Sequence, residues 1–390
     1  MSLANLTSYG ALGTSGFSSP VFEYSAGSKA VCVAGTLSIP VVGETTNILS
    51  KAPANNFELT ELITDFTRRN SDTVARYSGE QVSVSTIYDI YAKLCVPTHD
   101  TKKTDSPTAV QFLSHGGTLD LSYWDFAEGY SYIDAAAEQG FASFAYDRLG
   151  SGRSEHPDAI QAVQVPLQVD LAHALIQQLR NGDIGNMAFE KVVGVGHSLG
   201  SALTQSLTAR YPEDLDAAIL TGHSAFFAGA MAGFASAGWQ IAKTLSDRPE
   251  LGELPNGYFA HAAIPQALQF SFYYYPHFDE KIFFRAMESR GCNAIGETLT
   301  LTSVYVPATD YAKPVLVLNG QQDYFYCQGN CLAPTDVTAE ALAVFFPNAL
   351  KDVSQAVTLP NIGHNINFHL GRQEAFDAML KFLAGAGIKA

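Results

Sequence analysis

The 390 residues are 47% hydrophobic and only 16% charged, a globular composition long enough to bury a substantial core without staples. With 38 acidic against 23 basic side chains the net charge is −15, and no local Lys/Arg cluster offsets it, which argues against nucleic-acid partners. The residues from Met1 to Pro20 lack a cationic segment followed by an apolar run, so a cytoplasmic location is expected over a secreted one.

Short runs rich in β-branched and aromatic residues are separated by helical patterns, the sign of a largely parallel α/β sheet. Residues 30–42 and 82–97 read as an opening pair of strands, with a polar insertion between them that holds one helix near 57–69. A strand at 109–114, a helix at 130–139 closed by Gly140 and a strand at 141–146 follow. Pro166 falls in the first turn of the next helix, where its missing N–H does no harm. Leu167, Leu171, Leu175 and Leu179 recur along that helix and mark one buried face. Strand 191–196, helix 200–210 and strand 217–221 come next; strands at 314–319 and 357–359 and a last helix at 373–384 complete the set.

The block 224–309 does not fit the alternation, is too long for an ordinary connection and is rich in aromatic residues. It is expected to be a helical cap over the carboxyl edge of the sheet. From Ser224 to Ala242 it carries no formal charge, and Gly229 and Gly233 have the spacing of a close helix contact. A membrane span needs about 20 predominantly apolar residues, so a buried cap helix is the better reading, with contact between the cap and a lipid or membrane surface left open. The organisation is then an extension with a first strand and the insertion (1–81), a core (82–223 and 310–390) and the cap (224–309). Five cysteines leave at least one unpaired; Cys327 and Cys331 are close enough for a local bridge, with two reduced thiols as the alternative.

Chemistry concentrates at Gly196-His197-Ser198-Leu199-Gly200, which joins a buried strand directly to a helix. A serine at such a turn projects its hydroxyl beyond the sheet, and the flanking glycines remove side chains that would collide with the neighbouring helix and strand. Serine needs an imidazole to take its proton. Among ten histidines His364 is favoured, because it follows the last strand on a loop that can return to the serine; His369 is the second choice. The orienting carboxylate is expected at Asp323, after a buried strand and a glycine turn, with Asp336 better suited to capping a helix. Ser114-His115-Gly116-Gly117-Thr118 ends the third expected strand; backbone N–H groups of Gly117, or of Thr118, and of Leu199 are the candidate oxyanion donors. His115 is expected to be a structural residue of that loop. Tyr123, Trp124, His197, Phe226 and Phe227 are the candidate substrate-binding residues.

Tyr146-Asp147-Arg148-Leu149-Gly150-Ser151-Gly152-Arg153-Ser154 follows the fourth expected strand. Together with the His-Gly-Gly loop, the elbow, and the acid and histidine in order, it resembles the capped α/β-hydrolases, particularly fungal esterase-like members. That resemblance implies an α/β-hydrolase fold with eight mostly parallel strands, helices on both faces, a cap after the sixth strand and no cofactor. It also argues against carboxylate-nucleophile branches, since the elbow carries serine. No His-Glu-x-x-His or paired Cys/His set suggests a metal. The expected chemistry is acyl transfer from a small apolar ester, lactone or thioester. Its rivals are a cyclase or acyltransferase with a hydroxyl acceptor, and a non-catalytic hydrolase-like binding protein.

Overall fold

The computed structural model of the chain describes residues 8–98 and 107–390. Three antiparallel strands open it, β1 (Phe17–Tyr24), β2 (Ala30–Ile48) and β3 (Ser78–Pro97), with helices α1 (Asn56–Thr67) and α2 (Thr73–Tyr77) between the last two. The alternating part runs β4 (Ala109–Ser114), α3 (Tyr132–Glu138), β5 (Ala142–Tyr146), α4 (Val165–Asn181), β6 (Lys191–His197), α5 (Leu199–Arg210) and β7 (Ala217–Thr221). A block of α6 (Phe227–Ser236), β8 (Trp239–Ile241), β9 (Tyr258–His261), α7 (Pro265–Phe272), α8 (Glu280–Glu288), β10 (Asn293–Ala294) and α9 (Ile295–Thr300) intervenes. The core then resumes with β11 (Val315–Gly320), α10 (Tyr324–Cys327), α11 (Val337–Phe345), β12 (Gln355–Leu359) and α12 (Arg372–Gly385).

The main sheet has nine strands in the order β1-β2-β3-β5-β4-β6-β7-β11-β12. Every pair from β5 to β12 is parallel. Eight strands were expected; the extra one is β1. It buries only Phe17 and Phe22, leaves Ser18 to Val21 exposed and carries a bulge there, so it shows no alternation. A proline is tolerated at such an edge.

Period-2 patterning divides the central strands between two faces. Val110 and Phe112 of β4, with Val315 and Val317 of β11, join the core under α4, α5 and α11. Ala109, Leu113, Leu316 and Leu318 join the opposite core under α3 and α12. The leucine face of α4 is fully buried as expected, and the helix ends on Gly182 at φ 80°.

The block after β7 is not purely helical, because β8, β9 and β10 form a small antiparallel sheet. These strands are two to four residues long, too short to show a period. The insertion helix α1 packs on this block: Leu59 and Phe66 share a cluster with Phe234, Ile241 and Phe259, and Ile241 N–H donates to Asn56 Oδ1 (2.8 Å). Gly229 and Gly233 let α6 lie directly on α10, since a Cβ there would collide with the Tyr326 carbonyl or the Phe325 backbone. The uncharged stretch therefore ends in a ten-residue helix. Among the described residues no helix is long and apolar enough to cross a membrane.

Cys327 and Cys331 form the local disulfide, and a second joins Cys32 to Cys95, which face each other across β2 and β3. Sequence spacing could not reveal the latter, since its partners lie 63 residues apart. Cys292 is free and buried. Replacing Cys32 and Cys95 together by serine is expected to lower stability by about 2–4 kcal/mol, because the unfolded chain regains the entropy of that loop. Denaturant unfolding checks this; an unchanged midpoint would mean that strand pairing alone holds the hairpin.

Candidate active site

Ser198 sits between β6 and α5 at φ 54°, ψ −117°, a region that non-glycine residues enter only under constraint. The constraint is visible: Ser198 N–H donates to the Thr221 carbonyl (2.9 Å), and α5 starts so close to β4 that a Cβ on Gly200 would fall on the Ser114 carbonyl. The turn holds Ser198, 8% exposed, at the wall of a largely apolar pocket.

His364 lies on the loop after β12, and its Nδ1 meets Asp323 Oδ2 at 2.7 Å with both side chains buried. The carboxylate is held in turn by the Tyr326 N–H, which donates to Oδ1 (2.8 Å). A carboxylate partner at Nδ1 places the proton there and leaves Nε2 as the basic nitrogen. That Nε2 is buried without a protein partner, and His364 lines the same pocket as Ser198.

His369 does different work. Its Nδ1 donates to the Asn365 carbonyl (2.9 Å), while Nε2 accepts the N–H groups of Gly363 and Tyr274 (both 3.0 Å). Burial pushes it down to about 4, so it stays neutral and fastens the loop that carries His364. His115 is likewise engaged on both sides: Nδ1 donates to the Gly116 carbonyl (2.8 Å) and Nε2 accepts the Arg148 N–H (3.0 Å). Burial, with the Arg148 charge beside it, holds it well below its ordinary value.

Of the candidate oxyanion donors, Gly117 and Leu199 both line the pocket. Thr118 does not qualify, because its N–H is spent on Asn293 Oδ1 (2.8 Å). Asn293 comes from β10, and nothing in the sequence pointed to it; its carboxamide packs directly over Gly117. Arg148, fully buried, secures the same loop from behind. Its Nε donates to the His115 carbonyl (3.2 Å) and its Nη1 to Gln168 Oε1 (2.8 Å), and it pairs with buried Glu297 of α9. Gln168 closes the triangle by donating to Glu297 Oε1 (2.8 Å). Arg148 stood in the quoted motif without a role; its partner, 149 residues on, carries no local signal.

Of the five expected substrate-binding residues, only His197 lines the pocket. It is kept neutral by burial and by His364 nearby, and donates from Nδ1 to Thr221 Oγ1 (3.2 Å). Tyr123 stacks beneath it with ring centroids 4.4 Å apart and belongs, with Trp124, to the core under α3 and α12. Both sit on a short turn, Leu121–Trp124, that drives its aromatics inward. Phe226 is 37% exposed, and Phe227 faces a separate groove between α6 and residues 66–74. The pocket's aromatic wall consists instead of Phe66, Phe234, Trp239, Phe272 and Phe325. Phe66 comes from the insertion helix α1, to which the sequence assigned no role. Among the described residues, no group of three or more His, Cys, Asp or Glu could hold a metal ion.

This fold and this strand–turn–helix serine define a class, the α/β hydrolases. A profile of the alpha/beta hydrolase family matches residues 112–378, and the chain belongs to that family. Its fold is shared by an esterase from Thermogutta terrifontis (TM-score 0.51, 15% identity, covering 77% of this chain and 95% of the other). The same holds for a putative lipase from Acinetobacter baumannii AYE (0.50, 14%, 84% and 95%) and an epoxide hydrolase from Vigna radiata (0.50, 15%, 76% and 94%). At these identities the likeness is one of fold. No curated protein sequence matches the chain.

Arg148→Met is expected to cost about 3–5 kcal/mol, since it leaves Glu297 buried without its counter-charge. Glu297→Gln combined with Arg148→Met should recover part of that loss. Equilibrium unfolding of the two proteins checks the coupling.

Proposed function

We propose that the protein is a serine hydrolase that cleaves an ester, lactone or thioester bond of an apolar small molecule through Ser198, His364 and Asp323. The observation that carries this reading is the buried Asp323–His364 pair, whose free Nε2 belongs to the same pocket as the strained Ser198. Ser198 Oγ attacks the carbonyl carbon as its proton passes to His364 Nε2, and Asp323 stabilises the imidazolium without taking the proton. The negative charge that develops on the carbonyl oxygen is received by the N–H groups of Gly117 and Leu199. Collapse breaks the bond to the leaving alcohol or thiol, which departs with the proton from His364. Water then attacks the acyl-enzyme, giving its proton to His364, and the acid is released as Ser198 regains its hydrogen.

An apolar substrate is favoured by the aromatic wall, because such surfaces bind by exclusion of water. The two disulfides favour an oxidising compartment over the cytoplasm expected from the sequence.

Fluorophosphonate labelling is expected to vanish in Ser198→Ala and to persist in Ser151→Ala; labelling that survives Ser198→Ala would overturn the assignment. Asp323→Asn is expected to retain the fold and lose roughly 10⁴-fold in kcat on an aryl ester, because the imidazole is no longer held in the right tautomer. A loss under tenfold would mean that Asp323 is not the orienting acid.

A further inference from the structure

A second, smaller cavity adjoins the main pocket. It shares Gly117, Thr118, Leu119, His261, Phe272 and Asn365 with the main pocket, so the two are neighbouring chambers of one site. Two polar side chains on its wall are buried and unsatisfied. His261 is 1% exposed and its Nε2 has no partner; Tyr273 is 6% exposed and its hydroxyl has none either.

The chemical character of each group is fixed by its surroundings. His261 Nδ1 lies 3.0 Å from the Ala237 carbonyl, which can only accept, so Nδ1 carries the hydrogen and Nε2 presents a lone pair. The ring cannot turn away, being stacked on Trp239 (centroids 4.2 Å apart) and edge-on to Phe272 (4.9 Å). Burial, reinforced by the Arg290 charge, holds His261 down at about 3, so the ring stays neutral. Arg290 donates to the His261 carbonyl (2.7 Å) and is paired with Asp247 (2.8 Å), so it offers the chamber no free cation. Tyr273 keeps its proton, since burial raises it against the smaller opposing effect of the Asn365 side chain beside it.

A buried polar group costs about 1–3 kcal/mol when nothing meets it, and these two stand on the wall of a cavity that adjoins Ser198's pocket. The wall thus presents one fixed acceptor and one hydroxyl that can donate. A carboxylate offers no hydrogen to the imidazole lone pair. A hydrocarbon satisfies neither group, while an alcohol or phenol satisfies both.

We propose that this chamber binds a hydroxyl group of the substrate, which donates to His261 Nε2 and accepts from the Tyr273 hydroxyl. The substrate class is accordingly a hydroxylated apolar ester, with its carbonyl in the main pocket at Ser198 and its hydroxyl in the adjoining chamber. This rests on the serine-hydrolase reading for the chemistry, though not for the binding.

The test uses aryl esters of increasing acyl length, each made with and without a terminal hydroxyl. At one length the hydroxy-ester is expected to exceed its plain partner by roughly 10–100-fold in kcat/KM, the range set by leaving a buried polar pair unmet. That ratio should fall toward unity in His261→Leu and in Tyr273→Phe; Tyr273→Phe removes a single oxygen and decides the matter if His261→Leu fails to fold. Calorimetric binding of the same pairs to Ser198→Ala should show the same preference without turnover. Equal kcat/KM and equal binding at every length would overturn the proposal, as would a preference that both variants retain. If wild-type protein turns over no ester yet Ser198→Ala still prefers the hydroxylated partner, the chamber is supported and the hydrolase reading fails.

Discussion

The buried Arg148 guanidinium is the constraint on which the site depends. A charge removed from water must be paired and hydrogen-bonded or it destabilises the fold. Arg148 meets that demand by reaching the carbonyls of the His115–Gly116 loop, Gln168 of α4 and Glu297 of α9 at once. The His115–Gly116 loop, the core and the inserted block are therefore locked to one point. Asn293 of the block accepts the Thr118 N–H, and Glu297, a few residues on, pairs with Arg148. The inserted block thus helps to form the wall of the pocket that holds Ser198.

Burial sorts the histidines by the same logic. His115, His197, His223, His261 and His369 are all enclosed, and burial leads the causes that hold each below its ordinary value. Desolvation penalises the charged ring, so each remains a neutral hydrogen-bonding group. Of these enclosed rings with His364, only His364 has a carboxylate on Nδ1, which can support the transient imidazolium that acyl transfer requires. Geometry thereby separates one ring paired with a carboxylate from several neutral rings that brace the loops around it.

The parallel core, the leucine face of α4 and the elbow were legible because their signals are local. Period-2 and period-3.6 patterns, and a glycine-flanked serine between strand and helix, lie within a few residues of one another. Errors arose where local appearance and tertiary packing diverged. Tyr123 and Trp124 follow the oxyanion loop in sequence, yet a single tight turn sends them into the core. Phe226 and Phe227 begin a helix of the inserted block whose later turns, at Ala230, Met231 and Phe234, are the ones that meet the pocket. Strand β1 lacked alternation because it is an edge with one bulge.

By itself the sequence determined the setting of Ser198 and placed Asp323 and His364 after later strands, since the elbow and the ends of parallel strands write themselves into contiguous residues. It also determined the family, through motifs that each occupy one loop. Only the tertiary structure decided what surrounds the reacting atoms. Phe66 reaches the pocket from the insertion helix and Asn293, Glu297, His261 and Tyr273 from the inserted block, and the partners of Asn293 and Glu297 lie far away along the chain. Pairing of that kind depends on how the insertion helix and the inserted block pack, which no local pattern encodes.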